Sequence, residues 1–134
     1  MTQIPTRFWT PEEWERIKCG YRSRGMDEKW DVFVEDDVAY LHRSWTGRCV
    51  FEASFSQVQA GWHISSAIAE TERVRDVSAQ RDKVVLELVL SSILLGEPAA
   101  DLRAELVRLS MPTDHPAPPA GAIEHNILGL RSNP

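Results

Sequence analysis

Lys29-Trp30-Asp31-Val32-Phe33-Val34-Glu35-Asp36-Asp37-Val38-Ala39-Tyr40-Leu41-His42-Arg43 is two alternating runs on either side of an acidic pair. A period of two, rich in β-branched and aromatic residues, is the pattern of half-buried strands. The pattern continues to about Ile68, and it predicts strands at about 30–35, 38–45, 49–56 and 62–68. The breaks fall at Asp36-Asp37, Thr46-Gly47-Arg48 and Gln57 to Gly61. Connections this short join antiparallel neighbours, because a parallel crossover needs a dozen or more residues.

The turns set the register. A two-residue loop at Asp36-Asp37 places Phe33 opposite Tyr40, Asp31 opposite His42, Val32 opposite Leu41 and Trp30 opposite Arg43. At the second hairpin, a two-residue loop would set Leu41 against Glu52. A three-residue loop at Thr46-Gly47-Arg48 sets Trp45 against Cys49, Arg43 against Phe51 and Leu41 against Ala53, and keeps one face apolar. Since a slip of one residue inverts every side chain, burial selects the second arrangement. Val32, Val34, Ala39, Leu41, Trp45, Cys49, Phe51, Ala53 and Phe55, with Trp62 and Ile64, then face the core. Asp31, Phe33, Tyr40, His42, Ser44, Glu52, Ser54 and His63 face the other way.

Upstream of the strands, Thr10-Pro11-Glu12-Glu13 is a helix start: a capping hydroxyl, a proline in the first turn and carboxylates at the positive end of the dipole. Trp14, Ile17 and Tyr21 give that helix its apolar stripe, Gly20 ends it, and Tyr21 to Lys29 reads as a loop. Downstream, residues 79–95 are apolar nearly all round, with Lys83, Glu87 and Ser91 as a narrow polar line, so this helix is buried on most of its circumference. A further helix begins near Pro98 and carries Leu102, Leu106 and Leu109, a stripe that fits either the core or an interface. The expected architecture is α+β: a four-stranded antiparallel meander covered on one face by the long helix, with an N-terminal and a C-terminal helix. Residues 1–111 are expected to form this single domain. Residues 112–122, with four prolines, read as a stiff linker, and 123–134 as a short apolar tail that packs on its own domain or on a partner.

Composition narrows the classes. With 43% apolar and 26% charged residues, the chain is neither disordered nor collagen-like. A net charge of −5 argues against extended nucleic-acid binding, which needs clustered Lys and Arg. No apolar run is long enough to span a membrane and the N-terminus lacks an apolar signal region, so a cytoplasmic protein is expected. Cys19 and Cys49 have no metal-binding spacing and are expected to be free thiols. Every Phe, Trp and Tyr lies between Phe8 and Trp62, which makes the first half of the chain the sheet and the second half its aliphatic cover.

Two groups of residues carry candidate chemistry. On the expected register Asp31, His42 and Glu52 lie side by side on adjacent strands, each about 5 Å from the next. A His between two carboxylates suits acid/base catalysis with Ser44 or Ser54 as nucleophile; the same pairs also occur as plain decoration of a solvated sheet face. The second group is Arg43, Ser44, Trp45, Thr46, Gly47 and Arg48. Two guanidinium groups, two hydroxyls, an indole and a flexible Gly fit a phosphate-bearing ligand. Against that, Thr-Gly turns a hairpin, Trp45 fits the core and Arg43 can cover Trp30. No P-loop, dinucleotide fingerprint, GxSxG or HExxH is present, and no motif calls for a metal or cofactor.

The stretch from Lys29-Trp30-Asp31-Val32-Phe33-Val34 through Leu41-His42-Arg43-Ser44-Trp45-Thr46-Gly47 to Cys49-Val50-Phe51-Glu52 resembles a small, poorly characterised bacterial domain. That domain has a Lys-Trp strand followed by an Arg-Ser-Trp-Thr-Gly hairpin, and it sometimes accompanies ADP-ribosylglycohydrolase-like enzymes. The resemblance covers about 25 of the 134 residues. It implies that Arg43 to Gly47 act as a unit, in a bacterial accessory domain with a nucleotide-related ligand. The expected function is a small non-catalytic binding or interaction module for a phosphate-bearing ligand or a protein partner, a second copy included, through the sheet face or the tail. The alternative is a small hydrolase or transferase acting on a nucleotide or ADP-ribose-like substrate, with Asp31, His42 and Glu52 as its acid/base groups.

Overall fold

Asp36 and Asp37 both take left-handed backbone angles, φ 51° and 63°, the type I′ geometry that a two-residue hairpin requires. They join β2 (Trp30–Glu35) to β3 (Val38–Arg43). Phe33 pairs with Tyr40, Asp31 with His42, Val32 with Leu41 and Trp30 with Arg43, as the sequence predicts. A computed structural model describes residues 1, 3–25, 27–70, 76–110 and 127–129.

The second hairpin differs from the expectation. β3 ends at Arg43 and β4 (Cys49–Val58) begins six residues later, so the connection is longer than three residues. It is closed by the amide of Arg43 donating to the carbonyl of Arg48 (3.0 Å) and that of Gly47 donating to Arg43 (2.8 Å). Leu41 therefore pairs with Phe51 and Tyr40 with Glu52, and a bulge sets His42 opposite Cys49. The pairing is two residues from the expected one, which preserves the inward and outward faces from Leu41 to Phe55. Trp45, expected in the core, sits in the turn and is 64% exposed.

The sheet has five strands, one more than expected. β5 (Gly61–Ala69) pairs with β4, and the two-residue β1 (Phe8–Trp9) pairs with β5 through Phe8–His63 and Trp9–Trp62. All neighbours are antiparallel, in the order β1-β5-β4-β3-β2. A second bulge between Ser54 and Phe55 inverts the outer part of β5, so that Ile64 pairs with Phe55 in the core while Ile68 pairs with Glu52 on the opposite face.

Three α-helices are described. α1 (Pro11–Lys18) begins with a capping box in which Thr10 and Glu13 satisfy each other's backbone amides. It buries Trp14 and Ile17, and the Trp14 ring stacks on Trp62 at 4.5 Å and meets Phe55 at 4.6 Å. Gly20 (φ 71°) then brings the backbone against β2. A Cβ there would lie 2.4 Å from the Val32 carbonyl, and this close approach lets Tyr21 exchange both backbone hydrogen bonds with Val32. α2 (Asp76–Leu88) runs on into a π-helical segment, Val89–Leu94, every residue of which is buried. α3 (Ala100–Ser110) buries Leu106 and Val107. No helix of the described residues is long and apolar enough to cross a membrane.

A single guanidinium ties these elements together. Arg7 forks onto both oxygens of Glu97 (2.8 and 2.9 Å), reaches Glu13 (2.6 Å) and donates to the hydroxyl of Ser91 in the π-helical segment (3.3 Å). The wider winding of a π-helix shifts the register of side chains beyond it, and here Ser91 meets Arg7 while Ser92 meets Arg103. Hydrogen bonding from Arg7 holds the Glu97 carboxyl below the usual carboxylate range, whereas burial pushes Glu87 above it. A carboxyl with a depressed folded-state pKa stabilises the fold above its unfolded pKa, and that contribution fades as pH falls through the folded value. Glu97→Gln is therefore expected to flatten the loss of stability below about pH 5 by roughly 0.5–1 kcal/mol, a partly exposed pair being screened by solvent. The measurement is urea unfolding of both proteins from neutral to acid pH. Glu87, which acts in the opposite sense, is present in both and largely cancels; parallel curves would show that the Arg7–Glu97 pair contributes nothing.

The linker 112–122 lies outside the described residues, as does the tail apart from 127–129. Those three residues pack on the domain. Leu128 is fully buried, Gly129 bridges to Glu28, and the Ile127 carbonyl accepts from Trp30 Nε1 (3.0 Å) and Arg43 Nη1 (2.7 Å).

Candidate functional site

The residues from Arg43 to Arg48 stand together at one end of the sheet, but most are held by the fold. Arg43 lies 5.0 Å over the Trp30 ring and donates to Ile127, and burial lowers its pKa. Ser44 donates from its hydroxyl to the Glu28 carbonyl (2.7 Å) and from its amide to Lys29 (2.9 Å). Thr46 accepts from the amide of Arg48 (3.2 Å), Gly47 takes φ 69°, and Arg48 pairs with Glu70. Trp45 is exposed beneath Lys29, whose Nζ is 5.1 Å from its ring. Sequence spacing does not show that Arg43 turns inward onto the tail.

The expected line of Asp31, His42 and Glu52 is only half formed. Asp31 is opposite His42, yet its Oδ1 accepts from the amide of Ser23 (2.6 Å), which fastens the loop before β2. Glu52 lies opposite Tyr40, two residues along from the position predicted for it beside His42. His42 stacks on Phe33, with ring centroids 5.2 Å apart. Cys49 is what the register sets across from His42 instead. An activated cysteine needs a thiolate, whereas burial and then the charges of Glu52 and Glu70 push the Cys49 thiol up, and its Sγ donates to the Phe51 carbonyl. Of the two proposed nucleophiles, Ser44 is turned to Glu28, and Ser54 lies opposite Val38 and Ser66. Among the described residues, no three His, Cys, Asp or Glu side chains are placed to hold a metal.

What the sheet does present is a row. Phe33, Tyr40, Glu52 and Ile68 follow one another across β2, β3, β4 and β5, a span of about 14 Å at ordinary strand spacing. All four are on the side away from the helices. Phe33 is 49% and Ile68 59% exposed, and the Phe33 and Tyr40 rings stack at 4.9 Å. At the far edge Phe8, 66% exposed, stacks on His63 at 5.9 Å, beside an open hollow lined by Phe8, Val58, Gln59 and Ala60. Phe33 and Tyr40 are placed there by the sequence reading. Phe8 and Ile68 are not: β1 is too short to show a period, and Ile68 faces outward only because of the bulge. The adjacent Ser65-Ser66, which interrupts the alternation of β5, is the one sequence signal for it.

Comparison with protein-family models, with curated proteins and with solved structures gives no match to this chain.

Proposed function

We propose that the chain is a small non-catalytic binding module of bacterial type that docks a protein partner on the open face of its sheet. The observation that carries this reading is the row of Phe33, Tyr40, Glu52 and Ile68, in which an exposed Phe33, stacked on the half-buried Tyr40, and an exposed Ile68 are left to solvent. An antiparallel sheet with one face on its core has a polar second face in the ordinary case, and exposed apolar residues clustered on such a face mark contact sites. Rigid aromatic side chains lose little entropy on binding, and for that reason they dominate interface energetics.

Recognition of a phosphate-bearing ligand by Arg43 to Arg48 has less support, because Arg43 and Arg48 already have partners of opposite or complementary charge distribution in Ile127 and Glu70. A hydrolase or transferase has less again, with His42 separated from Glu52 by the register and Asp31 engaged by Ser23. Both cysteines are free, which suits a reducing cytoplasm.

The test is selection of peptides from a random display library on the folded protein, followed by mapping of the tightest on backbone amide NMR shifts. The expected result is a continuous set of shifts at Phe33, Tyr40, Glu52 and Ile68. Shifts confined to residues 43–48, or no selected peptide at all, would contradict the proposal.

A further inference from the structure

We infer that the partner docked on this face presents a cationic, arginine-bearing surface. The inference rests on the docking role proposed above and adds the chemistry of the partner. Beside the stacked rings stand the carboxylates of Glu52, in the row itself, and Glu35, two pairs further along β2 where it faces Val38. Asp31 adds a third charge at the other end of β2, partly satisfied by the amide of Ser23. The outward positions of β2 to β5 are otherwise Phe33, Val38, Tyr40, Cys49, Val58, Ile68, serines and the two histidines, with no Lys or Arg among them. An aromatic surface edged with carboxylates is complementary to guanidinium groups, which stack on ring faces and fork onto carboxylates at the same time.

The same charges argue against the other occupants. Face-to-face pairing of two copies would bring Glu35 and Glu52 of one against those of the other, and like charges set opposite one another weaken an interface. Nucleic acid would meet the stacking rings of a binding platform without the basic groove that must accompany them. The cationic protein surface is the occupant for which both the rings and the carboxylates are used.

Three short peptides test this: one alternating Val with Arg, one with citrulline, the neutral isostere of Arg, and one with Glu. Each is titrated into the intact chain while the amides of Phe33, Tyr40, Glu52 and Ile68 are followed. The Arg peptide is expected to shift them and to bind less tightly as salt is raised. Glu52→Gln and Glu35→Gln should each weaken it about two- to fivefold, the scale of an exposed ion pair. If the citrulline or Glu peptide binds at these amides as well as the Arg peptide does, the cationic chemistry is wrong while the docking face stands. If none of the three moves them but a display-selected peptide does, the inference again falls alone. If no peptide of either kind reaches the face, both fall. Broadening of the same amides with protein concentration alone would assign the face to a second copy and overturn the inference.

Discussion

Trp14→Ala is expected to destabilise the protein by about 3–5 kcal/mol, the range for truncating a buried aromatic to alanine. Trp14 is 1% exposed and lies between Phe55 and Trp62, the contact through which α1 is anchored to the core face of β4 and β5. A domain of this size has about 5–15 kcal/mol in all, so the variant should be marginal, with a urea midpoint far below that of the wild type. If the midpoint moves by an amount equivalent to less than about 1.5 kcal/mol, α1 is held by something other than this ring.

The second large effect is at the far end of the chain. Leu128→Ala should cost about 2–5 kcal/mol, although the residue follows a proline-rich segment. Its side chain is fully buried, and the carbonyl before it satisfies both Trp30 and Arg43. Gly129, at φ 70°, has no room for a Cβ, which would lie 2.5 Å from the Asp27 carbonyl. Deleting the tail would leave the Arg43 guanidinium without its Ile127 acceptor beside an opened core. Thermal unfolding of Leu128→Ala measures the effect, and a melting temperature equal to the wild type would mean that the tail does not belong to the folded unit.

How much of this was legible in the sequence can be judged residue by residue. The first hairpin was, because Asp-Asp tolerates the left-handed angles of a type I′ turn and the alternation on either side is unbroken. The buried helix was, because an apolar surface on nearly all sides has only one stable environment. Bulges were not. An extra residue in one strand leaves no mark on composition, yet one bulge sets His42 opposite Cys49 rather than Val50 and another turns Ile68 outward. The predicted line of Asp31, His42 and Glu52 lost Glu52 for another reason: the longer second connection shifts the pairing by two residues, which sets Glu52 opposite Tyr40 while Asp31 stays opposite His42 and the core face survives. Trp45 was misplaced for a related reason: its alternation continues that of β3, but the strand stops at Arg43, where Ser44 turns to bond Glu28 and Lys29.

The claim that the open face of the sheet is a docking surface is tested most directly by the affinity of a display-selected peptide for the Phe33→Ser, Tyr40→Ser double variant. The two rings are stacked but partly exposed, and such a pair contributes about 0.5–1.5 kcal/mol beyond its buried area. The variant should therefore remain folded, with Trp14 and Leu128 untouched. The account predicts a fall in affinity of about thirtyfold or more, the scale of an interface hot spot. Undiminished binding by the folded variant would contradict it.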